Sequence, residues 1–81
     1  MTQDMRSELV ALLPRLRNFA RSLTGSFDQA DDLVQTGLEK ALRHLDSFVP
    51  GTRLDAWMFR ILRNAWIDTI RARRVMQDID G

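Results

Sequence analysis

Apolar residues recur along this chain at three- and four-residue intervals, the spacing of helices that each bury one face. The clearest run is Ala30, Leu33, Val34, Gly37, Leu38, Ala41, Leu42 and Leu45, a single stripe along one helix. Ser26 stands at its N-cap position, where a hydroxyl can accept from a free first-turn amide, and Asp28, Asp31 and Asp32 suit the positive end of the helix dipole. Upstream, Leu9, Leu12, Leu13, Leu16, Phe19, Ala20 and Leu23 mark a first helix over about Asp4 to Leu23. Pro14 lies inside it and removes a backbone donor, which predicts either a kink or a short helix ending near Leu13 with a new one starting at Pro14. Gly25 suits the left-handed residue that closes such a helix. Downstream, Asp46–Gly51 ends in Pro50-Gly51, a turn signal. Thr52-Arg53-Leu54-Asp55 then reads as an N-cap threonine with an acid at N3. Leu54, Trp57, Met58, Ile61, Leu62 and Ala65 give a third core stripe, on a helix expected to reach about Arg74, with 75–81 as a frayed tail or the start of a linker. No strand period, repeat or low-complexity tract interrupts this pattern, so the fold class is all-α, a small three- to four-helix domain packed orthogonally or as a bundle.

Composition narrows the chemistry. Eighty-one residues make one small domain, which buries a limited share of its surface. There is no cysteine and one histidine, His44, so disulfides, thiolate metal sites and histidine clusters are excluded and a Ser-His pair is not expected. No apolar run approaches the roughly 18 residues of a membrane span, and the N-terminus lacks a signal peptide's apolar segment, giving an expectation of a soluble cytoplasmic domain with no membrane partner. No pocket for acid–base catalysis is suggested, and neither enzymatic activity, a metal nor a cofactor is expected.

The net charge is only +1, but it is unevenly distributed. Residues 27–50 set Lys40 and Arg43 against Asp28, Asp31, Asp32, Glu39 and Asp46, a balance of −3. Residues 51–74 set Arg53, Arg60, Arg63, Arg71, Arg73 and Arg74 against Asp55 and Asp68, a balance of +4. Two differently charged partners explain this split, and so do ordinary solvated helix faces. Arg60, Asn64, Ile67, Arg71 and Arg74 share a stripe, with Arg63 beside it, suited to successive phosphates and, at Asn64, to a base edge. Phe48 has two readings: a ring that stacks on an extruded base, or a turn residue folded into the core. Trp57 lies on the core stripe, whereas Trp66 is offset and suited to a partner-facing surface. Asp28, Asp31, Asp32, Gln35 and Glu39 project away from the second helix's stripe, as docking on a basic helical partner requires.

These residues also form long motifs. Asp31-Asp-Leu-Val-Gln-Thr-Gly-Leu-Glu-Lys-Ala-Leu42 resembles region 2.2 of the extracytoplasmic-function (ECF) sigma factors of RNA polymerase. Leu54-Asp-Ala-Trp-Met-Phe-Arg-Ile-Leu-Arg-Asn-Ala-Trp-Ile-Asp68, followed by Arg71, Arg73 and Arg74, resembles their regions 2.3 and 2.4. Leu13–Gly25 is similar to region 2.1, especially in the alphaproteobacterial general-stress group. The resemblance implies a sigma region 2 domain over residues 1–74, with region 2.1 at about 1–25, region 2.2 at 26–46 and regions 2.3–2.4 at 47–74.

By that resemblance, the second helix docks on the β′ clamp coiled coil of polymerase core through Asp31, Asp32, Gln35 and Glu39. The loop Asp46–Thr52 captures a base of the non-template −10 strand, and promoter DNA is contacted by Phe48, Thr52, Arg53, Arg60, Arg63, Asn64, Arg71 and Arg74. An anti-sigma factor is a further expected partner, and the alternative role is a sigma-like decoy that binds an anti-sigma factor without promoter recognition. Thr36 departs from the family, which usually has an acid there, so one clamp contact is expected to be weaker or absent. Region 4, which reads the −35 element in full-length members, is absent from these residues, and region 2 alone is expected to select promoters poorly.

Overall fold

A computed structural model describes the backbone of residues 2–80 and the side chains of residues 5–74. The three helix-period stretches become α1 (Thr2–Thr24), α2 (Phe27–Arg43) and α3 (Leu54–Asp80), with a short 3-10 turn at Leu45–Ser47. Each helix packs on the other two, and the described residues contain no strand. The all-α reading of the sequence is thereby met.

Local chemistry sets the boundaries of the first two helices. Gly25 closes α1 with φ +70°, donating its N–H to the Arg21 carbonyl at 2.8 Å. Ser26 caps α2 as expected, its hydroxyl accepting from the Gln29 amide at 3.4 Å. Thr24 braces the connection, donating its hydroxyl to the Ser26 carbonyl and accepting from the Ser26 amide.

Three expectations are decided or corrected by the structure. First, of the two outcomes that Pro14 left open, α1 is one helix through it rather than two. Pro14 is exposed, so the Val10 carbonyl that loses its donor lies on a wet face; Val10 itself is 63% exposed. Buried Leu9 and Leu16 anchor the helix on either side. Second, Thr52 does not cap α3. The Pro50-Gly51 turn, with Gly51 at φ +90°, points both the Thr52 amide (3.2 Å) and its hydroxyl (2.6 Å) back to the Val49 carbonyl. Arg53 takes the capping position instead, its carbonyl receiving the Trp57 amide. Third, α3 runs to Asp80, beyond the expected end near Arg74.

The core is built of aliphatic residues from all three helices. Leu9, Leu16 and Ala20 from α1 meet Ala30, Leu33, Val34 and Ala41 from α2 and Leu54, Met58, Leu62 and Ala65 from α3. Leu16, Met58 and Leu62 are completely enclosed, and burying each such side chain stabilises the fold by about 1.5–3 kcal/mol. At Gly37 the α2 backbone approaches α3 so closely that an added Cβ would collide with the Leu62 side chain. Leu42, placed on the stripe by the sequence, is exposed at 52%. It lies about 40° further round the helix than half-buried Leu38, and the stripe leaves the partner helices at that point.

Candidate functional site

The two charged faces are both free. On α2, Asp28, Asp31, Asp32, Gln35, Thr36 and Glu39 are exposed, on the side away from Ala30, Leu33, Val34, Gly37 and Ala41. On α3, Arg60, Arg63, Asn64, Arg71 and Arg74 are exposed, opposite the face that buries Met58, Leu62 and Ala65, while Ile67 is half-buried. Lys40 reaches Asp68 at 3.8 Å across the α2–α3 seam, a weak tie because both ends are exposed.

The connecting loop differs from its expected form. Phe48 is buried, its ring centroid 5.2 Å from that of half-buried Trp57, so it is a wall of the loop and is withdrawn as a surface for stacking a base. The apolar surface the loop does offer is Val49, exposed at 61%. Trp66 is half-buried rather than free, lining a shallow depression with Gln29, Asp32, Leu33, Thr36, Thr69 and Arg73; the Arg73 guanidinium stands 5.6 Å from its ring.

Asp55 holds a cluster that the sequence pattern did not disclose. Arg53 forks onto it, Nε to Oδ1 at 3.2 Å and Nη2 to Oδ2 at 2.8 Å, and Arg15 of α1 donates to the same Oδ2 at 3.2 Å. The Ala56 amide donates to Oδ1 at 2.8 Å. The charged hydrogen bond from Arg53 holds the Asp55 carboxyl below its ordinary range; desolvation opposes this, and the Ala56 amide and the charges of Arg53 and Arg15 reinforce it. Arg15 and Asp55 are forty residues apart, so no local spacing signals their pairing. Arg53, expected on DNA, is thus exposed but already tethered.

This cluster makes stability depend on pH. A carboxyl whose folded pKa lies below its unfolded value of about 3.9 contributes above that value and loses its contribution as pH falls toward the folded one. The melting-temperature gap between the wild type and Asp55→Asn is therefore expected to be widest near neutrality and to narrow below about pH 4. A gap that stays constant across that range would contradict the assignment.

Comparison with known proteins places these features in a family. Residues 9–75 match the family model described as Sigma-70 region 2. The chain belongs to that family. The region 2 domain is 49% identical over its whole length to the ECF RNA polymerase sigma factor EcfG of Rhodopseudomonas palustris, covering 45% of that protein. It is 39% identical over 89% of its length to the RNA polymerase sigma factor CnrH of Cupriavidus metallidurans, covering 36% of it. A co-crystal structure of the sigma factor RpoE with the anti-sigma factor NepR from Bartonella quintana matches 98% of the domain with a TM-score of 0.87 and 49% identity. The domain spans half of that RpoE chain and about half or less of these curated relatives.

Proposed function

We propose that this region 2 domain serves a transcription initiation factor, docking on RNA polymerase core through α2 and recognising and melting the promoter −10 element through α3 and the 46–52 loop. The observation that carries this reading is the separation of two exposed faces of opposite charge, each on the side of its helix away from the core. Asp31, Asp32, Gln35 and Glu39 offer acceptors to the basic side chains of a helical partner, the β′ clamp coiled coil. Arg60, Arg63 and Arg71 follow the phosphates of the non-template strand, with Asn64 placed for a base edge. Base capture falls to the loop from Asp46 to Thr52, with exposed Val49 and the Pro50-Gly51 backbone in the place that the sequence assigned to Phe48. This work is done in the cytoplasm, where the polymerase is. An anti-sigma factor is the natural regulator, as the RpoE–NepR pair illustrates for a relative.

The polymerase half of the proposal is tested by capture of purified core enzyme on the immobilised domain. Reversing one charge at the centre of the acidic face, Asp32→Arg, is expected to reduce capture at least about tenfold while leaving the melting temperature and single-stranded DNA binding in place. Equal capture by wild type and variant would remove α2 as the docking face. Retention of an anti-sigma protein with no binding of core enzyme or DNA would identify a decoy instead.

A further inference from the structure

We propose that Arg15 and Arg53, gathered on Asp55, form a seat for a DNA backbone phosphate beside the 46–52 loop. This extends the DNA track from α3 onto α1 and rests on the DNA-binding reading above. Both guanidiniums donate to the same oxygen, Asp55 Oδ2, at 3.2 and 2.8 Å. The carboxylate is recessed, with 11% of its side chain exposed, whereas the Arg15 and Arg53 side chains are 57% and 78% exposed. A strand reaching this rim therefore meets guanidinium N–H groups before it meets the acid.

Donors remain for such a strand. A guanidinium carries five N–H groups. Arg53 directs its Nε and one Nη2 hydrogen at Asp55, and Arg15 directs one Nη2 hydrogen. Among the described residues the rest of each fork meets no other protein acceptor, which leaves the paired, planar donors that match phosphate oxygens. The Arg15 guanidinium also lies 5.8 Å from the Phe59 ring, a second restraint on its position. Arg53 follows the Pro50-Gly51 turn by two residues, so the seat adjoins the loop proposed to hold the extruded base. Glu8 is the nearby acid that counts against an anion. It lines, with Ala11, Leu12, Thr52 and Leu54, a shallow dip that Asp55 also borders and the two arginines do not. Asp55 is thus a positioning residue: it fixes two long side chains that would otherwise lose rotamer freedom on binding.

The proposal makes a prediction opposite in sign to simple charge counting. Asp55→Ala adds one unit to a net charge of +1, which by itself favours DNA. If Asp55 positions the seat, the variant instead binds more weakly. The probe is a fluorescein-labelled single-stranded DNA of mixed sequence, with an abasic strand of the same length, titrated at several salt concentrations against the full chain. Asp55→Ala and Arg15→Ala are each expected to weaken binding about fivefold, on both strands, and to reduce the steepness of the log–log salt dependence by about 0.7 per lost phosphate contact. The double variant is expected to be little weaker than Arg15→Ala. Asp55→Asn, which keeps an acceptor for the Ala56 amide, covers the case in which the alanine variant fails to fold. Tighter binding by a folded Asp55 variant, or an unchanged affinity and salt slope for Arg15→Ala while Arg63→Ala weakens binding, overturns the seat and leaves the DNA-binding reading intact. A wild-type domain that binds neither strand at low salt overturns both.

Discussion

Truncating Leu62 to alanine is expected to destabilise the domain by about 2–5 kcal/mol. A domain of 81 residues has roughly 4–12 kcal/mol of stability in all, so this single change consumes a large part of it. The side chain is completely enclosed and sits where α3 meets the Gly37 backbone of α2. Neighbours cannot readily collapse into the space, because the helices are already held at close approach by Gly37, Ala41 and Ala65. The same contact gives a second expectation. Gly37→Ala improves helix propensity by about 1 kcal/mol but forces a methyl group into Leu62, and overpacking a filled core costs about 1–3 kcal/mol. With Leu62 already truncated, that methyl group enters the vacated space. Urea unfolding of both single variants and the double should then show a double variant less destabilised than the sum. Strict additivity, or a Leu62→Ala loss below about 1 kcal/mol, would show that the two helices are not packed through this pair.

Most of the fold was legible because it follows from periodicity. The stripes of α1, α2 and α3 each name their buried residues, and Ser26 and Gly25 announce the connection between the first two helices. The open and mistaken readings lie where a residue's role is decided by something outside its own helix. Pro14 left a kink and a break both open, and α1 continues because the lost hydrogen bond faces solvent and buried leucines hold both flanks. Thr52 has the chemistry of an N-cap, yet the Pro50-Gly51 turn claims its hydroxyl for Val49. Phe48 could be assigned to the core or to a base only once its packing against Trp57 was known. The charged faces on α2 and α3 were readable as helix wheels, since residues opposite a core stripe must face outward. The Arg15–Asp55–Arg53 cluster was not, because nothing in a sequence separation of forty specifies which acid an α1 arginine will meet.

Removing Arg60, Arg63 and Arg71 together is expected to reduce affinity for non-template single-stranded DNA by roughly 100-fold or more at low salt, the largest functional effect foreseen for this domain. All three are exposed on the outward side of α3 and none forms an ion pair among the described residues, so their loss leaves the protein core and its hydrogen bonds in place. The melting temperature should therefore change little, separating a binding defect from a folding one. If each arginine neutralises one phosphate, the log–log salt slope falls by about 0.7 for each, or about 2 for the triple variant. Lysine at the same positions keeps the charge but loses the planar fork, so the triple lysine variant should recover most of the salt slope and only part of the affinity. Asn64→Ala supplies the complementary case: with no charge removed, the salt slope stays constant while discrimination among bases relaxes. A triple alanine variant that binds as the wild type does would transfer DNA recognition away from α3 altogether. The basic stripe would then be a solvated helix face, the alternative that charge patterning alone left open.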